Sequence, residues 1–121
     1  MLKIKDIPAL FENNDFTLVF CMFLDGFKQN ENKSELISEK PEKQNLNKKQ
    51  YCMLACAAHK LANDYGIQPP EWVYDESFIM PKPIYAFNTK NKEYQKFLKE
   101  TSPEEYSSRN LFYGNNVLKR I

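Results

Sequence analysis

Glycine, cysteine, histidine and tryptophan are all scarce in this chain of 121 residues, which has three glycines, three cysteines, one histidine and one tryptophan. So few glycines leave no Gly-rich loop of the kind that cradles nucleotide phosphates. The odd cysteine count, with two cysteines close together on one predicted helix, argues against a disulfide framework and indicates a reducing compartment. We therefore expect a cytoplasmic protein without a cofactor.

Long hydrophobic runs are also missing. The longest runs from Phe16 to Leu24, is interrupted only by Thr17, and is followed at once by Asp25. It falls short of the roughly 20 apolar residues that a membrane-spanning helix needs. The first fifteen residues contain no continuous apolar segment followed by a cleavage site. The sequence thus predicts neither a membrane helix nor a secretory leader.

The charge balance lacks the basic excess of a dedicated nucleic-acid-binding protein, because 17 Lys and Arg face 16 Asp and Glu. The distribution is uneven: residues 1–81 hold 9 basic and 12 acidic side chains, whereas 82–121 hold 8 and 4. A content of 42% hydrophobic and 14% aromatic residues is typical of a folded chain. The length fits one domain over 1–121.

Two helices dominate the first part of the chain. Asp15 can cap a helix beginning at Phe16, and a second helix starts near Asn47. The second helix ends where Gly66 can take a left-handed conformation and Ile67 can fold back on the last turn. Its alanine-rich face is expected to pack against a buried stripe of the first helix that comprises Phe16, Val19, Phe20, Phe23, Leu24 and Phe27.

Two connections of different character flank the second helix. Residues 28–49 form a polar, solvated connection with at most a short helix around 34–38. Residues 67–88 form a long irregular loop that is rich in aromatic side chains and is interrupted by Pro69, Pro70, Pro81 and Pro83. The predicted fold class is mainly α, a small single-domain helical bundle with this loop lying across it.

A third helix follows the loop. Asn88 or Thr89 can cap it, and Tyr94, Phe97 and Leu98 are spaced as its inner stripe. The same pattern predicts that the helix ends near Thr101. The stripe predicts that both aromatic side chains face the core.

A short fourth helix is predicted from Ser102 as N-cap, Pro103 at the first position and Glu105 completing a capping box, and it runs to about Arg109. The segment after Arg109 forms either a final helical turn or a short β pairing.

The spacing Cys52-x3-Cys56-x2-His59 raises the question of a metal site. These side chains share one flank of the second helix, but a closed zinc site needs four ligands, and Cys21 on the other helix is the only cysteine left to complete it. Cys56 and His59 are also spaced as a nucleophile pair, which lacks an orienting acidic group. Buried cysteines behave as small apolar residues, so the sequence favours ordinary packing, with no metal and no catalytic residue.

Nucleic-acid binding is a further alternative. The third helix is locally basic, and its aromatic residues could stack on bases. The predicted inward orientation of Tyr94 and Phe97 weakens this alternative. The lysines concerned are Lys90, Lys92, Lys96 and Lys99.

Arg109 stands out because the chain has fifteen lysines and only two arginines. A planar guanidinium donates several hydrogen bonds in fixed directions, which an ammonium group does not. We expect Arg109 to hold backbone carbonyls of the proline-rich loop or an acidic side chain such as Asp75, with a contact to a partner or a phosphate as the alternative.

The second half of the chain, from about residue 50 to 118, resembles a family of short, largely uncharacterised bacterial proteins. The likeness consists of a Gly-x-x-x-Pro-x-Trp segment, a proline-broken aromatic loop, and a Ser-Pro-x-x-aromatic-x-x-Arg-Asn-hydrophobic-Phe ending. The matching positions are Gly66, Pro70, Trp72, Pro81, Ser102, Pro103, Tyr106, Arg109, Asn110, Leu111 and Phe112. The resemblance implies an antitoxin-like or accessory protein that binds a toxin-like partner, and it implies no catalytic residue.

The loop chemistry leads to the functional prediction. Prolines lower the entropy that is lost when a loop binds a partner, and aromatic side chains are common anchors of interfaces. We therefore predict a non-enzymatic protein-interaction module that binds a protein partner or a second copy of itself, with a nucleic-acid-associated regulator or a Cys/His metal-binding protein as alternatives. For Trp72, packing on the protein's own core is the competing interpretation. The predicted partner-binding residues are Trp72, Tyr74, Phe78, Tyr85 and Arg109.

Overall fold

A computed structural model describes residues 2–11, 15–43 and 46–114. It is mainly helical, as predicted. The helices are α1 (Ile7–Phe11), α2 (Phe16–Gln29), α3 (Lys33–Leu36), α4 (Lys48–Asp64), α5 (Lys92–Thr101) and α6 (Glu104–Ser107). Short 3-10 turns cover Ile4–Asp6, Glu71–Tyr74, Glu76–Phe78 and Ala86–Asn88. Strands β1 (Ile84–Tyr85) and β2 (Leu111–Phe112) pair in parallel, with Ile84 opposite Leu111.

Helix α2 begins as its sequence predicts. The Asp15 carboxylate accepts hydrogen bonds from the backbone N–H groups of Thr17 and Leu18, at 2.7 and 3.3 Å. These bonds satisfy donors that have no partner inside the helix. Phe16 is half-buried, and the rest of the predicted stripe is buried: Val19, Phe20, Phe23, Leu24 and Phe27.

Both ends of α4 are fixed by local hydrogen bonds. Asn47 and Gln50 form a reciprocal capping box, with bonds of 2.8 and 3.1 Å between side chain and backbone. At the other end Gly66 has φ +68°, and the N–H of Ile67 donates to the carbonyl of Ala62 at 2.7 Å. This is the predicted Schellman arrangement.

Helix α4 is buried on two sides. One side lies in the main hydrophobic cluster with α1, α2 and α3, so the phenylalanines of α2 share a core with its alanines. The other side carries Cys52 and Cys56, which lie in a second cluster together with Met80, Tyr106 and Leu111. Along its length α4 is approached by α6 and by the turns Glu71–Tyr74 and Glu76–Phe78. Tyr65, which follows the last residue of the helix, is exposed, although its spacing on the helical pattern predicts a place on the core face.

Helix α5 differs from its prediction in two respects. Asn91 caps it by accepting from the N–H of Tyr94 at 3.0 Å, whereas Asn88 lies in the preceding 3-10 turn. The predicted inner stripe is wrong for Tyr94 and Phe97, which are exposed, and only Leu98 is buried. Tyr94 and Phe97 are exposed because α5 contacts the rest of the fold mainly through β2, which covers only a narrow stripe of the helix.

Ser102 serves the end of α5 rather than the start of α6. Its hydroxyl donates to the carbonyl of Leu98 at 2.6 Å and accepts from the N–H of Gly114 at 2.9 Å. Pro103 takes the N-cap position of α6, and no side chain caps the helix, so the predicted capping box is wrong. Residues 111–112 form the β pairing that the sequence left open, and 115–121 lie outside the described residues.

The two predicted connections are both present. The loop over 67–88 is irregular apart from its 3-10 turns and β1. In the connection over 28–49 the short helix is present as α3, but the connection is not wholly solvated, since Leu36, Ile37 and Leu46 are buried in the main cluster. No helix in the described ranges is long and apolar enough to cross a membrane.

Substituting Gly66→Ala should destabilise the protein by about 1 kcal/mol, because an L side chain disfavours the left-handed backbone at this position. No atom lies within 4 Å of the added Cβ, so the cost comes from the backbone and not from a clash. Urea unfolding should show a smaller loss for Gly66→Asn, since asparagine tolerates the left-handed region better. Equal stability of Gly66→Ala and the wild type would contradict this account of the helix end.

Candidate protein-interaction groove

An open groove of about 1370 Å³ runs between the segment around α3 and the first part of the proline-rich loop. Its first wall comes from residues 32–40 and its second from residues 68–75. The two walls are joined by a hydrogen bond of 2.9 Å from the indole N–H of Trp72 to the carbonyl of Ile37. We call this feature the groove.

Trp72 forms a fixed platform in the groove. The ring is half-buried and packs at 5.3 Å, centroid to centroid, on the fully buried ring of Phe78. Its only polar atom is used by the bond to Ile37. The exposed part of the ring is therefore apolar and has no hydrogen bond to offer an occupant.

Tyr74 stands at the end of the same wall and is 61% exposed. Its ring meets the His59 ring edge-on, with centroids 5.3 Å apart. Pro69 and Pro70 precede it in the wall, and Pro70 has an extended backbone with φ −67° and ψ 149°. A rigid backbone thus presents one fixed and one accessible aromatic ring.

The charges that line the groove do not balance. Lys40 pairs with Asp75 at 3.0 Å. A hydrogen bond from the backbone N–H of Ser77, followed by the contact with Lys40, lowers the pKa of Asp75 to about 2. Glu35 and Glu71 also line the groove and are exposed, and neither has an ion-pair partner within the described part of the chain. Two carboxylates are left for an occupant.

Arg109 holds the second wall in place from inside the protein. Its side chain is only 4% exposed, and one guanidinium nitrogen donates to the carbonyl of Val73 at 2.6 Å. The other donates to the carbonyl of Glu105 at 2.6 Å and lies 3.3 Å from Nδ1 of His59. The observed partners are thus carbonyls, one of them in the proline-rich loop, while Asp75 pairs with Lys40 instead.

His59 is bound in its neutral form by this contact. A guanidinium can only donate, so Nδ1 accepts and the neutral ring carries its proton on Nε2. Burial, and next the charge of Arg109, lower the pKa of His59, against an opposing effect of Glu105 and Glu104. The ring borders a small cavity of about 140 Å³, also lined by Asn63, Glu104, Glu105 and Ser108.

The cysteines do not form a site around this histidine. Burial raises the pKa of Cys56 to about 12, so the thiol is protonated at neutral pH. Cys52 is buried in the same apolar cluster, whereas Cys21 is only half-buried on α2. Over the described residues, no three His, Cys, Asp or Glu side chains are grouped as metal ligands.

The predicted partner-binding residues lie in three different places. Trp72 and Tyr74 line the groove, whereas Phe78 and Arg109 are buried beneath it and cannot contact a partner directly. Their interface assignment is corrected to a supporting role. Tyr85 lies elsewhere, half-buried and stacked on Phe112 with ring centroids 5.4 Å apart.

Sequence reasoning missed the first wall of the groove. The stretch 28–49 was expected to be a solvated surface, and the signal against this was the apolar pair Leu36 and Ile37 in otherwise polar surroundings. Phe87, an aromatic residue near the end of the proline-rich loop, lies outside the groove, is 91% exposed and has φ +58°.

No protein-family model matches this chain, and no match is found among curated proteins or solved structures. The resemblance to short bacterial proteins therefore stays a prediction. The geometry of the groove is the basis for the functional proposal.

Replacing Arg109 with lysine should lower the free energy of unfolding by about 2 kcal/mol, because an ammonium group does not reproduce the fixed directions in which the guanidinium donates to the carbonyls of Val73 and Glu105, so a buried carbonyl is left unpaired. Thermal denaturation would measure the loss. Lys99→Ala, which removes an exposed cation of α5, serves as the control and should change stability by less than about 0.5 kcal/mol. An unchanged melting temperature for Arg109→Lys would contradict the supporting role.

The stability should also depend on pH through His59, the only histidine. Its pKa is lower in the folded protein than the ordinary 6.5, so the unfolded chain binds the proton more tightly. The contribution of neutral His59 to the free energy of unfolding is complete above pH 6.5. It is lost as the pH falls from 6.5 through the pKa that His59 has in the folded protein. Denaturant unfolding at pH 7.5, 6.5 and 5.5 should show this decline.

His59→Asn is the matched variant for this measurement, because an amide oxygen can accept from Arg109 and does not titrate. It should flatten the decline between pH 7.5 and 5.5. The same slope in both proteins would assign the pH dependence to other groups.

Proposed function

We propose that the protein is a non-enzymatic, cytoplasmic protein-interaction module that binds a protein partner in the groove beside Trp72 and Tyr74. The observation that carries this proposal is an exposed tyrosine next to an immobilised tryptophan platform, in a groove open to solvent. Aromatic side chains that are already ordered lose little entropy when a partner covers them. Such residues are the usual energetic centres of protein interfaces.

The open shape of the groove favours a macromolecular partner over a small substrate. Sites for small molecules enclose most of the ligand surface, whereas this groove is largely open to solvent. The protonated thiol of Cys56 also offers no nucleophile at neutral pH. The antitoxin-like or accessory role implied by the family resemblance is one form of this function, with the toxin-like protein as the partner.

One observation favours nucleic-acid binding and another argues against it. Tyr94 and Phe97 are exposed and stacked, with centroids 6.2 Å apart and an interplanar angle of 12°. Helical spacing, however, places Glu93 and Glu100 one turn on either side of Phe97. Carboxylates beside the stacking surface would repel phosphates, so we favour a protein partner.

The test is photo-crosslinking in cells that naturally produce the protein. A photoreactive benzoyl-phenylalanine at position 74 should crosslink to a discrete partner, or to a second copy of the chain. The same group at position 97, another exposed aromatic site outside the groove, should not give that adduct. Adducts of equal yield from both positions, or none from position 74, would contradict the proposal.

Tyr74→Ala should then weaken binding of the crosslinked partner by about 30-fold, as expected for an interface hot spot of roughly 2 kcal/mol. The exposed position means that stability should change by less than about 1 kcal/mol. Phe97→Ala is the control, and titration of the purified partner by calorimetry is the measurement. Equal affinities of the two variants would remove Tyr74 from the interface.

A further inference from the structure

We infer that the occupant of the groove is an extended segment of a partner protein that carries a lysine or arginine next to an apolar side chain. This inference rests on the proposed function and adds the chemistry of the partner. Its basis is the combination of an apolar platform with two carboxylates in the same groove that have no ion-pair partner among the described residues.

The charged side chains of the groove determine which charge an occupant should carry. Of the four charged side chains in the groove, Lys40 and Asp75 neutralise each other at 3.0 Å. Glu35 and Glu71 remain, one on each wall. A basic side chain in the groove would lie between two carboxylates, whereas an acidic one would be repelled from both sides.

The exposed face of the Trp72 ring determines that the occupant should also carry an apolar side chain. The indole N–H of Trp72 is already bound to the carbonyl of Ile37, so the ring gives an occupant apolar surface and no donor. An aliphatic or proline side chain covers such a surface without leaving a polar group unpaired. The stem of a lysine or arginine can extend the same contact while its charged end reaches a carboxylate.

The backbone of the groove argues against strand addition. Pro69 and Pro70 have no N–H groups, so this part of the wall cannot form a β ladder with an added strand. The groove is also lined by uncharged polar side chains, namely those of Asn32, Ser34, Ser38, Gln68 and Tyr74. Recognition therefore depends on the side chains of an extended segment rather than on its backbone alone.

The experiment selects binders from a phage-displayed library of random 12-residue peptides on the full-length protein. Two double variants are matched: Glu35→Gln/Glu71→Gln removes the groove carboxylates, and Glu93→Gln/Glu100→Gln removes two exposed carboxylates of α5. Selected peptides are then synthesised and titrated by fluorescence anisotropy against both variants, against Tyr74→Ala, and at 50 and 500 mM NaCl.

We expect selected peptides to contain a lysine or arginine within two positions of an apolar residue. Their affinity should fall about tenfold with the Glu35/Glu71 variant and also at high salt, because exposed ion pairs are individually weak and are screened. The Glu93/Glu100 variant should bind like the wild type.

The possible failures can be distinguished. Acidic or uncharged peptides that bind equally to the Glu35/Glu71 variant but lose affinity with Tyr74→Ala would overturn the basic partner and leave the groove as the binding surface. Basic peptides that bind equally to every variant are held by charge elsewhere, which also overturns the inference. If no selected peptide depends on Tyr74 while the photo-crosslink at position 74 is also absent, both the inference and the proposed function are wrong.

Discussion

The guanidinium of Arg109 is the interaction on which the arrangement of the described structure depends. It joins three parts of the chain that are distant in sequence: the imidazole of α4, the backbone of α6 and the turn that carries Val73. A buried cation normally requires an ion-pair partner. Here two carbonyl oxygens and a ring nitrogen provide the compensation, and within the described residues no carboxylate lies within ion-pairing distance. The cation therefore fixes the backbone of the second groove wall at Val73.

Helix α4 carries the histidine that Arg109 contacts. A helix with one buried stripe would expose Cys52, Cys56 and His59 to solvent. Because α6 and the strand pair cover that second side, small side chains allow close packing there, and the histidine at the edge meets Arg109. The pattern that suggested a metal site is thus explained by two apolar clusters on either side of one helix.

Features encoded by neighbouring residues could be predicted from the sequence. The Asp15 cap, the end of α4 at Gly66 and the stripe of α2 each depend on contacts within a few residues. That Arg109 holds a backbone carbonyl of the proline-rich loop was also predictable, since arginine is rare in this chain.

Features set by distant parts of the chain could not be predicted. The spacing of Tyr94, Phe97 and Leu98 defines a stripe, but how much of it is buried depends on how much of α5 the neighbouring elements cover. The burial of Phe78 follows from its packing on Tyr51 and Trp72, at 4.4 and 5.3 Å. The groove itself needs Ile37 and Trp72 to meet across 35 positions, and no local pattern records that contact.

The parallel pairing of β1 with β2 has a consequence for how the chain folds. The two strands close residues 86–110, including α5 and α6, into an excursion whose ends meet at the ladder. Closing this loop costs conformational entropy before the contacts between β1 and β2 contribute any stability. The second apolar cluster includes Tyr106 from within the excursion and Leu111 from its closing end, so the loop is closed in the complete cluster. The first cluster, built from α1 to α4, has no such requirement, so the side of α4 that holds the cysteines should become protected from solvent later than the side that faces α2.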